Sequence, residues 1–202
     1  MSILKKEKSY TFSDYFDFNY PTEDIVAELG YQYHLTKLSL PHKSVGHQLT
    51  NLQTMFYKKL PYISLTSETA RREMMVAPIL LELLDEMEVR IEIEYPVYVN
   101  EYLKGNLDYW VRSPHGFVVV EAKKADMEKG FTQLAVELIA MDQYLETANS
   151  LLYGAITIGD LWRFGQLERQ EKRITKDIDS FRVPLDLNEL FQVFMGILNV
   201  SQ

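Results

Sequence analysis

Leu107-Asp108-Tyr109-Trp110-Val111-Arg112, Ser113-Pro114-His115-Gly116 and Phe117-Val118-Val119-Val120-Glu121-Ala122-Lys123 run consecutively, and this stretch decides the fold. Two apolar runs rich in β-branched and aromatic residues flank four turn-forming residues, the pattern of a β-hairpin. Pairing Ser113 with Gly116, or Arg112 with Phe117, gives one register, and in it Asp108 lies directly opposite Glu121. Opposed side chains sit roughly 4.5–5.5 Å apart at Cβ, and like charges there destabilise a sheet. The run before Glu121 is apolar on both faces, which marks a buried strand. Uncompensated charge in such a strand is costly, so a cation is expected between the two acids. Lys123, two residues beyond Glu121, projects from the same face. A divalent ion would compensate both acids more fully.

Outward from the hairpin, Val89 to Val99 alternates, with Ile91, Ile93 and Tyr95 against Glu92 and Glu94, and reads as a further strand. Before it, Thr66 or Ser67 caps a helix whose apolar stripe is Val76, Ile79, Leu80, Leu83, Leu84 and Met87. Pro78 lies inside that pattern and must kink the helix or mark its restart. After the hairpin, a helix over about residues 128–147 has Phe131, Leu134, Leu138, Met141 and Leu145 as its core face. Strands are expected at Tyr153 to Ile158, at Leu161 to Leu167 and, less clearly, near 174–183. A last helix after Asp186 carries Leu190, Phe191, Phe194 and Ile197. The order α-β-β-β-α-β predicts an α/β fold, a mixed sheet flanked by helices with extensions at both ends. The short links make the first two pairings antiparallel, and the long helix is a crossover that sets the next strand parallel.

Residues 1–60 are rich in tyrosine and phenylalanine. Thr22 is expected to cap a short helix, and Leu49, Leu52, Phe56 and Leu60 recur at helical spacing over residues 46–60. We read 1–65 as an aromatic-rich helical extension packed on the core and 66–202 as the main domain, one compact unit overall. The extension covers either the core or a second subunit, so a homodimer stays open.

With 202 residues, 47% of them hydrophobic, the chain can bury one sizeable core. Cysteine is absent, which removes disulfides and thiolate zinc sites. No apolar run of about 18 residues is present, and none follows the basic start, so we expect no membrane association and a cytoplasmic protein. The net charge of −8 opposes nucleic-acid binding unless positive charge is locally concentrated. Arg71, Arg72, Lys123, Lys124 and Lys129 are either such a local rim or ordinary surface charge. His34, His42, His47 and His115 show no metal-ligand spacing. Trp110 is expected to pack beside the hairpin.

Two carboxylates, a backbone carbonyl and waters suit Mg²⁺ or Mn²⁺, which want hard oxygen ligands. Such an ion polarises a phosphoryl oxygen and lowers the pKa of a bound water. A neighbouring lysine positions or deprotonates that water and offsets charge on the phosphate. These are the parts of a phosphodiester-hydrolysing site. Glu-x-Lys alone means little, since it turns up on the order of once in a chain this long. Its weight comes from standing at the end of an apolar strand with an aspartate one hairpin earlier. The bland alternative is a Glu121–Lys123 salt bridge at an exposed strand end.

Gly105-Asn106-Leu107-Asp108 followed by Val119-Val120-Glu121-Ala122-Lys123 resembles the signature of the PD-(D/E)XK, or restriction endonuclease-like, nuclease superfamily. Leu107 stands where the motif name places proline, a loosely held position. Ser67-Glu68-Thr69-Ala70-Arg71-Arg72 with Ala77-Pro78-Ile79-Leu80 is similar to that family's first core helix. Gly130-Phe131-Thr132-Gln133-Leu134 resembles the start of its second. Tyr153 to Gly159, with Trp162 soon after, resembles the strand pair that completes the core. The likeness spans about residues 66–170. The whole chain also resembles a group of uncharacterised cyanobacterial proteins within the superfamily, a likeness that brings no substrate. The resemblance implies a restriction-endonuclease-like core and a Mg²⁺- or Mn²⁺-dependent nuclease acting on nucleic acid, DNA by analogy. It implies Asp108, Glu121 and the carbonyl of Ala122 as metal ligands, Glu68 as a further ligand through water, Lys123 as the catalytic lysine and Gln133 near the active site. By position alone, Glu68 is equally a first-turn acid favoured by the helix dipole, and Gln133 a solvated helix residue. Gln133, Glu137 and Tyr144 share one broad face, which looks either toward the cleft or elsewhere according to a register that the pattern leaves open. The rival to an enzyme is a non-catalytic module of the same fold that binds a protein or nucleic-acid partner.

Overall fold

In the computed structural model, which describes residues 2–45, 49–123, 125–146 and 149–199, the chain opens with helices α1 (Phe12–Phe16) and α2 (Thr22–Glu28), strand β1 (Gln32–Thr36) and helix α3 (Thr50–Lys59). Thr22 begins α2 instead of capping it; the cap position is Pro21, and the Thr22 hydroxyl pairs with that of Thr132 at 2.7 Å. Residues 46–48, where the second N-terminal helix was expected to start, lie outside the described residues.

Next come α4 (Glu68–Arg71), a π-helical turn (Arg72–Val76) and α5 (Ala77–Glu86). Ser67 is the cap, its hydroxyl accepting the Ala70 amide at 3.0 Å. Pro78 marks the restart. It has no N–H for the carbonyl of Met74, and the helix widens just before it, with the Ala77 amide reaching back to the Arg72 carbonyl. Ile79, Leu80 and Leu83 are buried as expected, but Leu84 is exposed and Met87 only half-buried. The stripe is narrower than read, because α5 covers the sheet with one side only.

Strands β2 (Arg90–Asn100), β3 (Leu103–Arg112) and β4 (Phe117–Ala122) then lead to α6 (Met127–Tyr144). The last part is β5 (Leu151–Thr157), β6 (Leu161–Glu168), β7 (Arg173–Asp177), β8 (Phe181–Arg182) and α7 (Leu187–Asn199). The stretch read as one strand near 174–183 is two, because the Asp177 carboxylate accepts the Asp179 amide at 3.1 Å and turns the chain.

The sheet has the order β1-β7-β6-β5-β4-β3-β2, with β8 beside β6. β2–β3 and β3–β4 are antiparallel hairpins and β4–β5 is parallel, as link lengths required. The N-terminal stretch is not purely helical: β1 pairs parallel to β7 and forms one edge. One apolar cluster packs α3, α5 and α7 on one face of the sheet, through Phe56, Ile79 and Phe194 against Val118, Val120 and Trp162. The other packs α1, α2 and α6 on the opposite face, through Phe12, Ile25 and Leu134 against Val119 and Ile156. Clamped between the sheet and the N-terminal helices, α6 is buried all round from Gly130 to Met141, not along a single stripe. Leu145, expected on its core face, lies just past the helix as its C-cap and is half-buried. Among the described residues no helix is long and apolar enough to cross a membrane.

Candidate active site

The β3–β4 ladder pairs Arg112 with Phe117, Val111 with Val118, Trp110 with Val119 and Tyr109 with Val120. The Ser113 amide closes the turn onto the Gly116 carbonyl at 2.8 Å. This is the register read from the turn, and Asp108 and Glu121 are the next positions out. There the ladder ends: the Ala122 amide turns to Asp108 Oδ2 at 2.8 Å. Alternation puts Glu121 on the α6 face with Val119, while Ala122 packs in the opposite cluster with Val118 and Val120.

Lys123 Nζ lies 2.6 Å from Glu121 Oε1. The ion pair of the bland reading therefore forms, but Glu121 is only 1% exposed, so it is no surface pair. Gln133 is buried too, which rules out the solvated alternative. Its Nε2 donates to Glu121 Oε1 at 2.8 Å and to Glu137 Oε1 at 2.9 Å. One pocket of about 440 Å³ is lined by Asp108, Glu121, Lys123, Glu68 and Gln133 together with Arg72, Glu94 and Thr11–Ser13 at the start of α1. The five side chains picked from the sequence thus meet in one place. Tyr144 does not join them; it is exposed at the far end of α6, with its hydroxyl 3.1 Å from that of Tyr95.

Burial raises the pKa of Asp108, against the opposing pull of the Ala122 amide and Arg72. Burial, then Glu137 and Asp108, push Glu121 well above the ordinary carboxylate range. Burial likewise raises Glu137, partly offset by its bonds to Gln133 and Glu121. Two buried carboxylates in contact require a shared proton or a cation. Burial alone would lower Lys123, but Glu121 overrides it and the pKa rises, so the group stays an ammonium.

Glu121 Oε2, Glu137 Oε2 and Gln133 Oε1 are buried without a hydrogen-bond partner. Among the described residues no three His, Cys, Asp or Glu side chains form a ready metal cage. Two carboxylates, one with an orphaned buried oxygen, still fit a small hard cation that keeps several waters.

The cationic rim is largely engaged. Arg71 donates to the Ile158 carbonyl at 2.6 Å, Arg72 to Glu94 and Lys123 to Glu121. Lys124 and His47 lie outside the described residues. His34 and His115 are exposed, and His42 Nδ1 is 2.8 Å from the Leu40 carbonyl. Trp110 packs between Tyr95 and Arg112, at 4.7 and 4.4 Å.

Three participants were not picked as site residues. Glu137 had a signal: it is the one acid within Leu134 to Met141 and stands four residues after Gln133. In the sequence Arg72 stands as either a rim charge or an ordinary surface charge and Glu94 as the polar side of a strand, and neither pattern brings the two together. Comparison of the chain with protein-family models, with curated proteins and with solved structures finds no match.

Proposed function

We propose that this protein is a divalent-metal-dependent nuclease with a restriction-endonuclease-like core that hydrolyses phosphodiester bonds, with DNA as its substrate. The observation that carries the reading is the convergence of Asp108, Glu121 and Lys123 with Glu68 and Gln133 on one pocket, where a buried Glu121 oxygen has no partner. Asp108, Glu121 and the carbonyl of Ala122 would hold Mg²⁺ or Mn²⁺, and Glu68 would add a ligand through water. The ion supplies Lewis acidity and an acidified water. Lys123, kept cationic by Glu121, orients the attacking water and offsets charge gathering on the phosphate. Gln133 fixes the Glu121 carboxylate by its amide. Water oxygen bonds to phosphorus as the bridging P–O bond breaks, and the leaving oxygen takes a proton.

A second reading has its own observation. Arg72 faces Asp108 at 3.2 Å and Lys123 faces Glu121 at 2.6 Å, so each acid has a cation without metal. On that reading the chain is a non-catalytic module for a protein or nucleic-acid partner. Calorimetric titration with Mn²⁺ separates the two. The nuclease binds Mn²⁺, loses it in Asp108→Asn, and gains about 2.7 kcal/mol of stability at a hundredfold excess over Kd. It cleaves single-stranded or plasmid DNA, and Lys123→Ala abolishes cleavage while metal binding persists. Absence of Mn²⁺ binding favours the module. Asparagine is the right replacement because it can still accept the Ala122 amide.

A further inference from the structure

Arg72 is given no part in that reaction, yet its guanidinium lies inside the pocket. Its Nη1 is 2.6 Å from Glu94 Oε1 and 3.2 Å from Asp108 Oδ1. The group lies over the Tyr109 ring, 5.2 Å from the centroid, and the side chain is 17% exposed. Both ends of the Arg72–Glu94 contact stand on irregular backbone. Arg72 opens the π turn, and Glu94 interrupts its strand at φ 53°, a left-handed conformation that residues with side chains rarely adopt. Asp108 is divided between two partners. Its Oδ2 takes the Ala122 amide, and its Oδ1, the oxygen turned from the backbone, faces the guanidinium.

An ion held by Asp108 would use Oδ1, and a divalent cation and a guanidinium repel one another at a shared oxygen. Arg72 must then let go. Its nearest remaining acceptor is Glu94, which engages one nitrogen of a group with five donors. The donors not engaged by Glu94 or Tyr109 belong to a planar fork suited to two oxygens of a phosphate. Resting on the nuclease reading, we infer that Arg72 is a displaceable cation. It holds Asp108 while no divalent ion is bound, yields that carboxylate when the ion enters, and then grips the phosphodiester, with Glu94 as its pivot.

The test is Mn²⁺ calorimetry together with cleavage kinetics on single-stranded DNA. Arg72→Gln should bind Mn²⁺ roughly tenfold tighter or more, as loss of a competing charged hydrogen bond requires, while KM for DNA rises by a similar factor. Glu94→Gln removes the rival carboxylate, leaves Asp108 as the carboxylate that Arg72 faces, and should weaken Mn²⁺ binding. In Arg72→Gln/Glu94→Gln that weakening should vanish, because the competitor is gone. Arg72→Lys keeps the charge without the fork, so it should retain the competition and lose DNA affinity. Thermal melts confirm that each variant is folded. If the wild type binds Mn²⁺ through Asp108 but Arg72→Gln binds it equally or more weakly, this inference falls and the nuclease reading stands. If neither binds Mn²⁺, the nuclease reading falls and takes this one with it.

Discussion

Glu137 is where pH acts on the folded protein. The side chain is fully buried, and its pKa rises above the ordinary value near 4.5. At higher pH the folded state therefore keeps a proton that the unfolded chain has released. Stability contributed by this group is complete below about pH 4.5 and is lost as pH climbs toward the folded pKa. Glu137→Gln keeps an acceptor for Gln133 and removes the titration. In metal-free buffer it should match the wild type near pH 4.5 and exceed it at pH 8, by on the order of 1–3 kcal/mol. Urea unfolding at both pH values reads this directly, and parallel profiles would overturn it. The residues legible in advance were those placed by local rules. One turn and a two-residue period suffice to put Asp108, Glu121 and Lys123 together. Glu94 needed tertiary knowledge, namely where β2 leaves regular geometry; for Glu137 the face shared with Gln133 was legible, but how α6 rotates against the sheet was not.

Among the elements, α1 and β3 meet at a point with no slack. Gly105 has φ 147°, and a Cβ built on it would lie 2.8 Å from Phe12 Cδ2. The same Cβ would lie 3.1 Å from the Phe12 backbone nitrogen, which cannot swing aside as a ring can. Gly105→Ala should cost roughly 1–3 kcal/mol through overpacking and backbone strain. Combining it with Phe12→Leu should cost less than the two changes summed, a coupling that a denaturation cycle measures. Strictly additive losses would show that the two positions do not touch. The elements that could be read share a property: their partners are near in sequence. The two hairpins and the β4–α6–β5 crossover follow from link lengths. β1 did not, because its partner β7 lies at the other end of the chain and four of its five residues are exposed, which leaves no buried alternation. The width of the α5 stripe failed for a related reason, since periodicity tells which side of a helix is apolar but not how much of it a neighbour covers.

Across the whole molecule, among the described residues, both ends of the chain are built into cores that they share with the sheet. One cluster joins Leu40, Leu49 and Phe56 near the N-terminus to Leu190 and Phe194 in α7. The other joins Leu4, Phe12 and Ile25 to α6 and to Ile174 in β7. An aromatic-rich beginning was visible in the composition; that it is stitched into both faces of the sheet was not. The same arrangement gives the pocket unequal sides. Gln133, backed by Glu137, rises from α6, shielded on every side from Gly130 to Met141, while Arg72 rises from a π turn next to exposed Glu73 and Met74. Deuterium should therefore reach the two by different routes. Amides of Phe131 to Met141 should exchange only when the entire chain unfolds, with protection equal to the global stability. Those of residues 72–76 should exchange sooner, through a partial opening that leaves the rest intact. A floor that stays shut while one wall breathes lets the arginine change partners without any rearrangement of the two strands that carry the acids.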